Sequence, residues 1–186
     1  EIEFPELLTA SGKVDGIIRI GHVPTHRAWR DLEVLKLPVL NFSHNPFTGL
    51  SWEEKVFNLN LLKEVKLSTL HHPDLESLID SDLAQRKKRD KNLSKFPLSE
   101  PALIKSLQGF WNPTSLVYLG NSLPIREWDY VSSTGFSKVV ASRGANGIDG
   151  QISTYMGQAF NQNESLGVFG DLTSLYDMSG PWFLKY

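Results

Sequence analysis

Apolar residues in this chain come in short runs, and most of the runs end in a turn rich in glycine or polar residues. Val14-Asp15-Gly16-Ile17-Ile18-Arg19-Ile20-Gly21 reads as a buried strand closing on glycine. From Thr25 to Val34 the pattern changes period: Trp29, Leu32 and Leu35 recur at helical spacing. Pro38-Val39-Leu40-Asn41-Phe42-Ser43 is the next strand, so the first stretch predicts one right-handed β-α-β unit. The segment from Phe57 to Leu70 mixes apolar residues without a clean period, and its pattern predicts no element. Pro73 to Lys95 is charged and helical in pattern, with Leu75, Leu78, Ile79 and Leu83 on one stripe, as in a connecting arm. Ser99-Glu100-Pro101 then supplies an N-cap and a first-turn proline for a helix carrying Leu103, Ile104, Leu107 and Phe110.

The last third repeats one design three times. The apolar runs Leu116-Val117-Tyr118-Leu119, Val139-Val140-Ala141 and Leu166-Gly167-Val168-Phe169 each lead to a glycine-bearing polar turn and then to a helical segment. Those turns are Gly120-Asn121-Ser122-Leu123 with Arg126, Ser142-Arg143-Gly144-Ala145-Asn146-Gly147-Ile148-Asp149-Gly150, and Gly170-Asp171-Leu172-Thr173 running on to Asp177. Strand, glycine turn and helix in series gather ligand-binding loops at the carboxyl ends of an open parallel sheet. The expected fold class is therefore α/β, with open parallel sheets flanked by helices. The expected domains are residues 1–70, a connecting arm over 71–97 and a second unit over 98–186. Each sheet is short of strands, which suggests a truncated stretch from the middle of a longer protein.

Composition narrows the function classes. A net charge of −2 over 186 residues leaves no broad surface for nucleic acid or anionic membrane. The basic cluster Arg86-Lys87-Lys88-Arg89-Asp90-Lys91 reads as a solvated helix face or linker. Cysteine is absent, which excludes disulfides and thiolate metal sites and agrees with a cytoplasmic location. No apolar stretch approaches the ~20 residues that span a bilayer. The histidines His22, His26, His44, His71 and His72 show no metal-ligand spacing, and no Ser/His/Asp arrangement supports a hydrolase.

Taken together and in order, the three turns resemble those of the menaquinone-pathway thiamine diphosphate enzymes, the 2-succinyl-5-enolpyruvyl-6-hydroxy-3-cyclohexene-1-carboxylate synthases. The matching stretches are Gly120 to Arg126, Ser142 to Gly150 and Gly170 to Asp177. More faintly, Ile18 to Gly21 followed by Pro24-Thr25-His26-Arg27 resembles that family's central-domain strand and basic turn, where the family often carries lysine or a lysine-arginine pair. The resemblance implies a thiamine diphosphate-binding fold, covered here from the later central domain through the first half of the cofactor domain. It implies a homo-oligomer that decarboxylates 2-oxoglutarate and adds the product to isochorismate. The family's activating glutamate lies in an amino-terminal domain. Its metal motif needs an asparagine a couple of dozen residues beyond Asp171, whereas fifteen residues follow here. No catalytic residue is assigned in this chain, and the chain by itself is expected to be inactive.

By that resemblance Asp171 binds Mg²⁺, with Gly170, Leu172 and Thr173 meeting the diphosphate. As a residue alone, Asp171 fits a helix N-cap equally well. Ile148 would support the bent cofactor, although an isoleucine at a helix start is ordinarily a core residue. Asn121, Ser122, Arg126 and Arg143 would bind substrate carboxylates, which arginine holds through paired charge-assisted hydrogen bonds. Arg27 would reach the same site from the central domain or form a surface salt bridge. Two further readings are another thiamine-dependent decarboxylase and a non-catalytic anion- or nucleotide-binding α/β domain.

Overall fold

The fold is seen in a computed structural model that describes residues 3–12, 14–52, 55–66, 75–132, 135, 138–142 and 147–185. It divides into two compact units, Glu1–Asn92 and Leu93–Tyr186. The parallel α/β architecture that the pattern predicts is present in both.

In the first unit a short helix α1 (Glu6–Ala10) precedes β1 (Ile17–Ile20), α2 (Arg27–Leu35), β2 (Val39–Phe42) and the two-residue β3 (Val56–Phe57). The strands lie in the order β1-β2-β3, all parallel, with Ile17 opposite Val39 and Phe42 opposite Phe57. The crossover helix α2 buries Trp29 and Leu32 against Val39, with Ile17, Val23 and Leu37 packed around them. It ends at Lys36, whose left-handed φ of 53° returns its N–H to the Leu32 carbonyl. The segment without a clean period opens on the last residue of β3 and includes a 3-10 helix at Leu59–Glu64, both too short to impose one.

Helix α3 (Leu75–Lys95) forms within the segment whose pattern is helical. Leu75, Ile79 and Leu83 of the apolar stripe are exposed, whereas Asp82 and Arg89 are buried. Asp82 accepts the Glu3 and Phe4 amides at 3.0 and 2.8 Å and pairs with Arg86 at 2.6 Å. Arg86 and Arg89 both reach the Glu3 carboxylate. The basic cluster is thus only partly a solvated face: Lys87 and Lys88 are exposed, and its two arginines hold the start of the chain.

The second unit begins with α4 (Glu100–Phe110) and continues through β4 (Leu116–Leu119), α5 (Leu123–Val131), β5 (Lys138–Val140), α6 (Gln151–Ala159), β6 (Ser165–Val168) and α7 (Asp171–Tyr176). Ser99 takes the N-cap position of α4, yet its hydroxyl donates backwards to the Phe96 carbonyl at 2.7 Å. The strand order is β5-β4-β6 and both pairings are parallel, with Tyr118 opposite Val140 on one side and Gly167 on the other. All four residues of β4 are buried. Val117 and Leu119 pack with Ile125 and Trp128 of α5, and with Ile104 and Leu107 of α4. Buried Gln108 donates to the Trp128 carbonyl at 3.0 Å and joins the two helices.

Candidate functional site

Three parallel strands in one sheet bring their carboxyl ends to the same edge. The turns after β4, β5 and β6 therefore lie side by side. Gly120 fits there because its amide bonds to the Val168 carbonyl at 2.8 Å. A Cβ at that position would sit 3.1 Å from that carbonyl and 3.2 Å from the Phe169 ring. The turn then passes through Ser122, whose φ of 75° and ψ of −124° are strained for a residue with a side chain. Among the described residues, Ser122 and Lys36 are the non-glycine positions with positive φ, and Lys36 is an ordinary helix cap. Strain of this kind, about 1–3 kcal/mol, persists where the surroundings dictate it and collects at ligand sites.

Side chains tie the loops together. Asn121 is buried and donates from Nδ2 to the Gly147 carbonyl at 2.9 Å. Gln151 is also buried and donates from Nε2 to that same carbonyl at 3.0 Å. Its Oε1 receives the Tyr118 hydroxyl at 3.2 Å and lies 3.4 Å from the Asn121 amide. The Tyr118 hydroxyl also lies 2.8 Å from Ser142 Oγ, where the second turn begins. Asp177 performs the equivalent task between the second and third loops: it accepts the Ser153 amide at 2.7 Å and the Ser153 hydroxyl at 2.9 Å. Buried Asp177 thereby satisfies a first-turn N–H of α6 from outside that helix. Behind the loops, Tyr118, Tyr155 and Phe169 form an aromatic cluster with ring centroids 5.7–6.0 Å apart.

The sequence-derived site residues take distinct places. Gly170 occupies the N-cap of α7, so Asp171 is the first helical residue, exposed at the end of β6. Leu172 is 58% exposed, and Thr173 is buried. Ile148 is half-buried, directly after the doubly bonded Gly147 carbonyl. Ser122 and Arg126 are exposed at the start of α5. Arg143 lies outside the described residues, as do His71 and His72. Arg27 belongs to the first unit, where it follows the turn after β1 and pairs with Asp31 at 3.4 Å with its side chain 81% exposed. An exposed pair of that length is worth little. A cavity of about 420 Å³ also lies in the first unit, lined by Ile17, Arg19, His26 and Trp29 among others, and includes none of the three loops.

Gln151 and Asp177 are the structural finds. Gln151 carried no signal in the spacing of the motifs, because its three partners lie up to 33 residues away. Asp177 stood inside the third motif without a role. No group of three or more His, Cys, Asp or Glu residues poised for a metal occurs among the described residues. A lone carboxylate beside helix-start amides nevertheless suits a Mg²⁺ that takes most of its ligands from a diphosphate and water. Glu127 on α5 is held above the usual carboxylate range, first by burial and then by the nearby Glu100 carboxylate.

This geometry defines a class: an α/β unit with glycine-bearing loops tied together at the carboxyl edge of a parallel sheet. The relatives make it specific. A protein of Bdellovibrio bacteriovorus named 2-succinyl-5-enolpyruvyl-6-hydroxy-3-cyclohexene-1-carboxylate synthase is 48% identical over 92% of this chain and 33% of its own length. The protein of that name from Akkermansia muciniphila is 35% identical over 87% of this chain and 31% of its own. The one from Chloroflexus aurantiacus is 42% identical over 45% of this chain and 15% of its own. The chain is thus a homologue of part of that synthase family, spanning about a third of the first two relatives. No family model matches it. Among the described residues, no helix is long and apolar enough to cross a membrane.

Proposed function

We propose that this chain forms the later central domain and the first half of the cofactor domain of a thiamine diphosphate- and Mg²⁺-dependent synthase of menaquinone biosynthesis. On this reading the whole protein is a cytoplasmic homo-oligomeric transferase. It takes 2-oxoglutarate and isochorismate as substrates. The observation that supports it most is the convergence of the three family-like turns at one sheet edge, around the strained Ser122 backbone.

Bound thiamine diphosphate supplies the electron sink for loss of CO₂ from 2-oxoglutarate and transfer of the remaining four-carbon unit. The residues of this chain bind and orient. Asp171 would hold Mg²⁺, while the Leu172 and Thr173 amides, which lack acceptors within their helix, would meet diphosphate oxygens. Gly170 keeps the approach open, since a Cβ there would meet nothing nearer than 4.0 Å. Ile148 would bear on the bend of the cofactor. Arg126, Arg143 and Ser122 would receive the substrate carboxylates, while buried Asn121 would act through the Gly147 carbonyl it holds. No proton-transferring residue is assigned to this chain.

The test is a pair of titrations on the full-length protein. Asp171→Ala should weaken thiamine diphosphate and Mg²⁺ binding. Arg126→Ala and Arg143→Ala should lower kcat/KM for the two substrates about tenfold to a hundredfold, the loss of a charge-assisted contact worth ~1.5–3 kcal/mol. If the arginine variants weaken only cofactor binding and Asp171→Ala weakens only substrate binding, the role assignment is wrong.

A further inference from the structure

We propose that Gln151 is a positioning residue for cofactor binding, fixing the peptide that carries Ile148. This rests on the reading of Ile148 as the support of the bent cofactor. The peptide between Gly147 and Ile148 presents a single carbonyl, which accepts hydrogen bonds from both Gln151 Nε2 and Asn121 Nδ2. Two donors converging on one oxygen fix the plane of the peptide, and with it the direction in which Ile148 leaves the backbone.

The orientation of the Gln151 amide is itself determined. The Gly147 carbonyl requires the nitrogen and the Asn121 amide requires the oxygen, so the Tyr118 hydroxyl facing that oxygen donates to it. With its hydroxyl proton committed to Gln151, Tyr118 receives that of Ser142. The network therefore runs Ser142 to Tyr118 to Gln151 to Gly147, joining both ends of the second turn to β4 at its centre. Gln151 is only 3% exposed, so it has little scope to contact substrate and acts through the peptide it holds. A buried amide of this kind depends on all of its partners, since removing it leaves the Gly147 carbonyl and the Asn121 amide each one bond poorer.

The experiment pairs two equivalent substitutions in the full-length protein. Gln151→Met keeps the length of the side chain and removes its hydrogen bonds. Gln108→Met does the same to the buried glutamine joining α4 and α5, away from the loops. Gln151→Glu is a second variant that keeps the oxygen for Tyr118 but turns an acceptor toward the Gly147 carbonyl. Both methionine variants should lower Tm.

Only the Gln151 variants should raise the Kd for thiamine diphosphate, about fivefold to tenfold for a lost hydrogen bond of ordinary strength. They should also lower kcat more than they alter KM for 2-oxoglutarate. Equal losses of Tm with unchanged Kd and kcat in both methionine variants would reduce Gln151 to a packing residue and overturn the inference. If the parent protein binds no thiamine diphosphate, the functional reading fails on its own. The clamp is then judged by hydrogen exchange at the Ile148 amide, which must be faster in Gln151→Met than in the parent for the inference to stand.

Discussion

The two units build the same three-stranded parallel sheet and finish its faces differently. In the second, β4 is buried along its whole length, β6 is half-buried and β5 is largely exposed. In the first, β1 and β2 turn Arg19 and Asn41 toward the α2 side and leave Ile18, Ile20 and Leu40 40–60% exposed. Parallel sheets are stable when both faces are covered, so the first unit keeps an open apolar face that the central strand of the second lacks. Their buried polar groups differ as well. In the second unit Tyr118, Asn121 and Gln151 are bonded across the loops, and Trp111 Nε1 has no hydrogen-bond partner among the described residues. In the first, both amide atoms of Asn41, Nε of Arg19 and Nε1 of Trp29 have no hydrogen-bond partner among the described residues. Arg19 otherwise spends its donors on the Phe47 and Thr48 carbonyls and stacks on Trp29, with burial lowering its pKa. The same motif thus carries mutually bonded loops in one unit and serves as a plain wall in the other.

The most severe test of that contrast is truncation on each face. Trp128→Ala removes a buried aromatic from the second core and should cost about 3–5 kcal/mol. Ile20→Ala, at 60% exposure, should cost well under ~1 kcal/mol. Hydrogen exchange resolved to each unit, or urea denaturation, measures both. Similar losses would mean that Ile20 is covered in the protein as it works, and that the open face is not open.

The same contrast explains what the sequence could reveal. Strand–turn–helix order was legible in both units, because parallel strands need only an apolar run and a turn that lets the chain cross back. The α7 start was legible to within one residue: Gly170, not Asp171, takes the cap. The bonds that set the site apart were not legible. Asp82 caps amides 78 and 79 residues earlier, and no local period encodes that; nothing in the apolar stripe on α3 signals that an aspartate and an arginine are its buried side chains. Nor does any spacing rule place Gln151 on the Gly147 carbonyl while Asn121 reaches it from another turn. The strain at Ser122 was equally hidden, since serine gives no warning of a positive φ.

Asp82 tests the first unit's own polar anchor. Asp82→Ala strands two backbone N–H groups and removes one of the two carboxylate partners of Arg86, for a loss of about 2–3 kcal/mol. Asp82→Asn, which can still accept from the amides, should lose less. Burial alone would push the Asp82 carboxyl upward, but the Phe4 amide and Arg86 outweigh it and hold the pKa below the usual value. A depressed pKa gives stability that is present above the unfolded value near ~4 and is lost as pH falls through the lower folded value. Exchange protection along α3 should therefore fall below about pH 4 in the parent, and much less so in Asp82→Asn. An unchanged acid profile in that variant would remove Asp82 as the anchor.

The smallest effect belongs to Glu127, and it runs in the opposite direction. Burial first, and then the Glu100 carboxylate, raise its pKa. A raised carboxylate pKa means that the folded state prefers the protonated form. Its contribution is thus complete below the unfolded value near ~4.3 and is lost as pH rises through the higher folded value. Glu127→Gln should leave Tm unchanged near pH 4 and raise it by about a degree or two at pH 7, the modest figure suiting a half-exposed group. Glu100→Gln should reproduce part of that gain, and the double variant should give less than the sum, because each substitution removes the same repulsion. Full additivity would show that the two carboxylates do not interact. The second unit would then carry no charge strain between α4 and α5, and its contrast with the well-paired Asp82 anchor of the first would rest on packing alone.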